Sequence, residues 1–239
     1  MNKEKKKLLR SIYFPTLFIF TIWIVEIYKL VFDLNLYSFG IFPLRSYGLI
    51  GIITAPLIHA DFNHLFANTI PLLVLGASVF YFYRNVAFSL IFFSYLITGI
   101  LVWMGGRQAF HIGSSGFIYA LISFVFLSGI IKNDTRLLAL SLLVVFLYGS
   151  MIWGILPFDS KISWESHLFG ALTGISLAFI YRNEGPIRQE YQWRNHQFDE
   201  DENENSEYNE NEPDESNKTN TTPPLEKQEY NDSNQSKTI

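Results

Sequence analysis

The sequence predicts an all-α membrane protein, a bundle of six transmembrane helices followed by a disordered acidic C-terminal tail. Three observations carry that expectation. Of the 239 residues, 49% are hydrophobic and 17% aromatic, too apolar for a charged soluble surface once the polar tail is set aside. Apolar runs near spanning length, roughly 20 residues, recur between clusters of basic and polar residues. Charge is segregated as well. Residues 184–239 hold fifteen of the twenty-two acids and five of the eighteen bases, a net of −10, which leaves +6 on residues 1–183. A basic membrane region suits anionic lipid and the excess of Lys and Arg found on cytoplasmic loops.

Composition also excludes chemistry. There is no cysteine, so disulfides, thiolate metal sites and a cysteine nucleophile are ruled out, and any nucleophile is an oxygen or an amine. No basic patch interleaved with aromatics points to nucleic acid.

Residues 1–10 form a basic cytoplasmic N-terminus with Lys3, Lys5, Lys6, Lys7 and Arg10. The first span, Ser11 to Phe32, is too long for a signal-peptide core, carries Trp23 and Glu26, and lacks a small-x-small cleavage site. Glu26 and Lys29 are read as an interfacial pair that snorkels to water. Residues 33–60, broken by Gly40, Pro43, Gly48, Gly51 and Pro56, are expected to lie in the outer interface. The second span follows His59 to Asn68 and ends near Tyr83-Arg84-Asn85. The third runs from Val86 to Met104, and the fourth starts at Gly113-Ser114-Ser115-Gly116 and ends before Lys132. A fifth, Leu137 to Leu156, leads through the loop Pro157 to Glu165 into the sixth, Ser166 to Tyr181. The membrane domain is thus residues 11–183, and the tail is 184–239, too poor in apolar residues to offset chain entropy. Arg84, Lys132, Arg136 and Arg182 fall on the side of the basic N-terminus, so both termini are predicted cytoplasmic in a multi-pass protein of a bacterial inner membrane.

Polar side chains are costly inside a bilayer, so each one is informative. His64 and Asn68 share a face near the outer end of the second span, and Ser115 and Tyr119 stand in the same relation on the fourth. His167 begins the sixth. Gly170 and Gly174 lie on its side of that helix, and Gly116 and Ala120 make a matching small stripe on the fourth. Two small stripes allow close approach, which would deliver His167 to Ser115. That pairing permits acyl transfer, with serine as nucleophile and histidine as base. The start of the fourth helix offers free N–H groups and a positive dipole end to an oxyanion, and His64 and Asn68 add side-chain donors. No acidic residue is placed to orient His167, so a dyad is predicted, with Tyr119 holding the imidazole by packing.

Blander uses compete at each position. Ser115 with its glycines also fits a plain helix contact, and Asn68 interhelical hydrogen bonding. His59, His64, His111 and His167 all lie near the outer face. Neither a cysteine nor a carboxylate falls at ligand spacing there, so no metal and no cofactor are expected. A transporter would need an inverted repeat or a midplane charge, and neither is evident.

At these residues the chain resembles the rhomboid family of intramembrane serine proteases. The resemblance rests on three blocks, His59 through Asn68, Gly113 through Ala120, and His167 through Gly174, and extends over roughly residues 11–183. It implies a rhomboid-like bundle with Ser115 as nucleophile and His167 as base. His64 and Asn68 then take the oxyanion positions, with His59, Gly113 and Tyr119 in support. It further implies transmembrane protein substrates cut near the outer leaflet. Where many relatives carry a Trp-Arg pair in the first outer loop, this chain reads Arg45-Ser46-Tyr47-Gly48. The long acidic tail also lies outside the family pattern and offers itself to an unknown partner. The alternative within the resemblance is an inactive member that binds or escorts membrane segments.

Overall fold

The computed structural model describes residues 2–147, 154–156 and 163–186. Among the described residues there are six main helices: α1 Lys3–Val31, α2 Phe62–Phe82, α3 Ala87–Gly105, α4 Ser115–Lys132, α5 Thr135–Leu147 and α6 Trp164–Ile180. Among the described residues the sole β pairing is an antiparallel bridge between Ile41 and His111. Helices α1 to α4 are each long and apolar enough to cross a membrane, whereas the described α5 and α6 have 13 and 17 residues. The chain is therefore an all-helical membrane protein.

The fold is built around α4. Eleven of its eighteen residues are buried, including Ile118, Leu121, Phe124 and Val125. They pack with Leu65, Leu72, Leu75 and Val79 of α2, Leu90 of α3, Leu137 of α5 and Leu177 of α6. Local sequence sets the ends of this helix. Gly113 precedes it at φ 104°, and Asn133 closes it in the left-handed conformation, its N–H bonded to Ile130 O at 3.1 Å.

Helices α4 and α6 approach each other closely. A Cβ on Gly170 would run into the carbonyl of Gly116, and one on Gly174 into the carbonyl of Ala120. Gly116 has no room either, since a Cβ there would sit 2.9 Å from Ser166 O. Small residues on both faces thus bring the two backbones into contact. A second close pass joins α1 to α2, where a Cβ on Gly76 would lie 2.9 Å from Pro15 Cγ.

The connection between α1 and α2 is a series of helical turns, Tyr37–Phe39, Ser46–Ile50, Gly51–Thr54 and Ala55–Leu57. Backbone bonds in both directions between Ile41 and His111, at 2.9 and 2.8 Å, tie it to the segment before α4. Leu44 N donates to Trp103 O, and Trp103 Nε1 returns a bond to Arg45 O, each at 3.0 Å. This loop lacks the Trp-Arg pair, and it is anchored instead through the Arg45 carbonyl by a tryptophan of α3.

Several expectations need correction. The first helix begins at Lys3 and not at Ser11, so the basic N-terminal residues continue the same helix. Glu26 and Lys29 do not snorkel. Glu26 is 2% exposed, and Lys29 Nζ lies 2.7 Å from its Oε1. The same ammonium donates to His59 O at 2.7 Å and Ala60 O at 3.3 Å, so all three of its N–H bonds are used. The fifth span was expected to reach Leu156, but Gly154–Leu156 forms a turn. The sixth begins at Trp164, two residues early. Residues 157–162 of the expected last loop, and the expected tail beyond 186, lie outside the described residues.

Candidate active site

Capping places the first histidine of the set. Asp61 stands at the N-cap of α2, and its Oδ1 accepts the backbone N–H of His64 at 2.8 Å. That cap satisfies one free donor of the first turn and fixes where His64 leaves the helix. Asn68 follows one turn on, nearly buried, with one amide hydrogen given to His64 O at 3.0 Å. Its second amide hydrogen is not used by that bond.

His64 lies against Gly113. A Cβ on Gly113 would meet the imidazole at 2.6 Å, so this position needs glycine both for space and for its positive φ. The Gly113 N–H is held by Ala55 O at 2.9 Å, which locks the backbone entering α4. His59 sits on the other side, fully buried. Its Nε2 is 3.3 Å from Ser114 Oγ, and its ring meets His64 edge-on at 5.1 Å between centroids. Burial, and then the neighbouring His64 and Lys29, push His59 down to about 3, so it is a neutral ring.

Ser115 and His167 are brought together by the glycine-mediated contact of α4 with α6. Ser115 Oγ lies 2.8 Å from His167 Nε2. On the far side of the ring, His167 Nδ1 is 2.7 Å from Gly154 O. A carbonyl can only accept, so Nδ1 carries the proton and Nε2 offers its lone pair to the serine hydroxyl. Tyr119 stacks on the imidazole, with centroids 4.2 Å apart and planes inclined by 12°. The ring is thus fixed by a carbonyl at one edge, a hydroxyl at the other and an aromatic on one face.

The N–H groups of Ser115, Gly116 and Phe117 precede the first intrahelical bond of α4, from Ile118 N to Ser114 O at 3.0 Å. They give the serine a local set of donors at a positive helix end. Among the described residues no hydrogen bond links His64 or Asn68 to Ser115. His64 lies against Gly113, two residues before the serine, and Asn68 is joined to the backbone of His64. A narrow cleft runs next to this point, lined by Ala55, Thr98, Ile112, Gly113, Gly116 and Ser166. Among the described residues no group of three or more His, Asp or Glu side chains is arranged to hold a metal ion.

Sequence reasoning missed Gly154. A Cβ there would lie 2.5 Å from Tyr119 Oη and 2.8 Å from His167 Nδ1, so glycine is needed for the carbonyl to reach the imidazole. The one available signal was a glycine interrupting the apolar run expected to be the fifth span. Glu165, two residues before His167, pairs elsewhere, its Oε1 lying 3.6 Å from Arg107 Nε.

A family profile described as the Rhomboid domain matches residues 47–184 of this chain. An uncharacterized protein of Mycobacterium bovis is 33% identical over 177 residues, covering 68% of this chain and 72% of its own length. An uncharacterized protein of Mycobacterium tuberculosis matches to the same extent. One from Mycobacterium leprae is 30% identical over 173 residues, covering 68% of each chain.

Proposed function

Because this chain belongs to the rhomboid family, we propose that it is an intramembrane serine endopeptidase that cleaves transmembrane segments of other proteins near the outer leaflet. The observation that carries this reading is the oriented pair, Ser115 Oγ at 2.8 Å from a His167 Nε2 whose other nitrogen is held by Gly154 O. In the proposed first step Ser115 Oγ attacks the scissile carbonyl carbon while His167 Nε2 takes the hydroxyl proton. The oxyanion that forms is held by the N–H groups at the start of α4, with His64 and Asn68 contributing side-chain donors once substrate is bound. His167 then returns its proton to the leaving amine, and the peptide bond breaks to leave an acyl-serine. Water, deprotonated by the same Nε2, hydrolyses that ester and restores the serine.

No acid is required in this scheme, because the Gly154 carbonyl supplies the orientation that an aspartate supplies in a triad. Positioning is the main contribution of the fold, since a hydroxyl already at hydrogen-bond distance from its base gives up little further motion. The lipid bilayer is the medium and transmembrane proteins are the substrates. We assign both termini to the cytoplasm of a bacterial inner membrane. This is supported by Lys7 Nζ over the Tyr81 ring at 4.0 Å and by Arg136 over the Phe82 ring at 5.4 Å, which gather basic residues of α1 and α5 at one end of α2.

The test is cleavage of a transmembrane substrate by purified protein in detergent or vesicles. Wild type is expected to cut it, and Ser115→Ala and His167→Ala are each expected to abolish turnover while remaining folded. Equal cleavage by wild type and Ser115→Ala would show that the nucleophile is assigned wrongly. No cleavage of any transmembrane segment by a folded wild type would favour the binding or escort reading.

A further inference from the structure

We propose that His111 is a positioning residue that sets the base, acting through a chain of hydroxyls on the first turn of α6; this rests on the reading of His167 as that base. His111 is 2% exposed and lies just before α4. Its backbone is fixed by the paired bonds with Ile41 at 2.9 and 2.8 Å. Its Nε2 lies 3.0 Å from Arg107 O. That oxygen can only accept, so Nε2 carries the proton and Nδ1 is a lone pair.

The lone pair faces Ser163 Oγ at 2.5 Å, and Ser163 Oγ in turn faces Ser166 Oγ at 2.6 Å. The directions follow from the first assignment. Ser163 donates to His111, and Ser166 donates to Ser163. Ser163 is also the N-cap of α6, a position where a serine hydroxyl ordinarily accepts an N–H of the first turn. It makes no such side-chain bond here. Its hydroxyl is turned outward to the imidazole, while its carbonyl accepts Ser166 N at 3.1 Å and His167 N at 3.4 Å.

Helix capping therefore does not account for this side chain, and the bond to His111 does. One imidazole, rigidly held from the α3–α4 connection, fixes both serines of the turn that carries His167. The Arg107 to Glu165 ion pair at 3.6 Å runs beside it between the same two segments. Burial pushes His111 below its ordinary range, with Glu165 and the Arg107 carbonyl acting in the opposite sense, so the ring keeps the neutral form that the chain requires. His111 does not touch Ser115 or His167 among the described contacts. It acts through Ser163.

The experiment uses the full-length protein in detergent micelles. Covalent modification of Ser115 by a fluorophosphonate is timed, melting temperature is measured alongside, and the 15N shifts of the His167 imidazole are recorded. His111→Leu and Ser163→Ala are each expected to slow modification by about tenfold or more, as misplacement of a base does. His111→Asn, whose Oδ1 takes the place of Nδ1, is expected to recover most of the rate. Because the two residues form one chain, His111→Leu combined with Ser163→Ala is expected to be no slower than either alone. Wild-type rates in His111→Leu, multiplying effects in the double variant, or an Asn variant as slow as Leu would each overturn the proposal. If His111→Leu fails to fold, Ser163→Ala against Ser163→Thr, which keeps the hydroxyl, makes the same comparison. If wild type itself does not react, the protease reading fails, and the imidazole shifts still decide this one. Shifts moved by His111→Leu and restored by Asn support it, and unmoved shifts sink it.

Discussion

His167 is held at three places by three different kinds of contact, a carbonyl, a hydroxyl and an aromatic face. Gly154 supplies a carbonyl at 2.7 Å, and any side chain there would press on both Tyr119 and His167. Gly154→Ala is expected to lower kcat/KM by at least about tenfold, roughly 1.4 kcal/mol of transition-state stabilisation, with little change in melting temperature. Unchanged kinetics in that variant would mean that the space left by Gly154 does not set the position of the ring. Asn68→Ala removes a donor proposed for the oxyanion and is expected to reduce kcat by about 100-fold, the lower end for such a loss in a soluble protease. A change confined to KM would move Asn68 from transition-state to substrate binding.

His59 provides a pH prediction at the same scale. Its pKa in the fold, about 3, lies below the ordinary 6.5. Between those values the unfolded chain binds the proton and the native ring does not, so stability falls as pH drops from about 6.5 toward 3. The melting temperature of wild type is expected to decrease over that window, and less steeply in His59→Asn. Parallel curves for the two proteins would assign the acid sensitivity to another group.

At the scale of elements, two contacts decide the geometry. The first is the glycine seam of α4 with α6. Gly170→Val would drive a side chain into the Gly116 carbonyl, which neither helix can yield without separating Ser115 from His167. Stability and activity are expected to fall together, whereas a valine tolerated in both respects would misplace the seam. The second is the Lys29 clamp. It bonds Glu26 and the carbonyls of His59 and Ala60, so it ties the C-terminal end of α1 to the segment that carries His59 and His64. Lys29→Met leaves a carboxylate buried without its cation, a loss that typically costs about 3 to 5 kcal/mol. Its melting point should therefore fall well below that of Glu26→Gln, in which the partly exposed Lys29 loses its anion but keeps the carbonyls of His59 and Ala60 as acceptors.

At the scale of the whole molecule, the parts legible in the sequence were those that violate the rule of an apolar interior. His64, Asn68, Ser115 and His167 stand out because polar groups are expensive in a bilayer, and the small stripes at Gly116 and Gly170 are visible by helical spacing. The all-helical membrane fold and the family were legible for the same reason. What stayed hidden acts through the backbone or across long separations. Gly154 contributes a carbonyl, which every residue has. Lys29 reaches the loop at His59, thirty positions on, and looked like a surface pair because its neighbour in sequence is Glu26. His111 meets Ser163 across fifty-two positions, and nothing in either local sequence announces the partner. Helix ends shifted as well, since the charged Lys3–Arg10 stretch holds no glycine or proline and continues α1.

The proposed mechanism makes Ser115 a nucleophile activated by His167. It is tested by mass-spectrometric mapping of a fluorophosphonate adduct on the purified full-length protein, in wild type, Ser115→Ala and His167→Ala. One adduct is expected, on Ser115, absent from both variants. An adduct on another residue, or labelling of Ser115 that persists undiminished in His167→Ala, would contradict it.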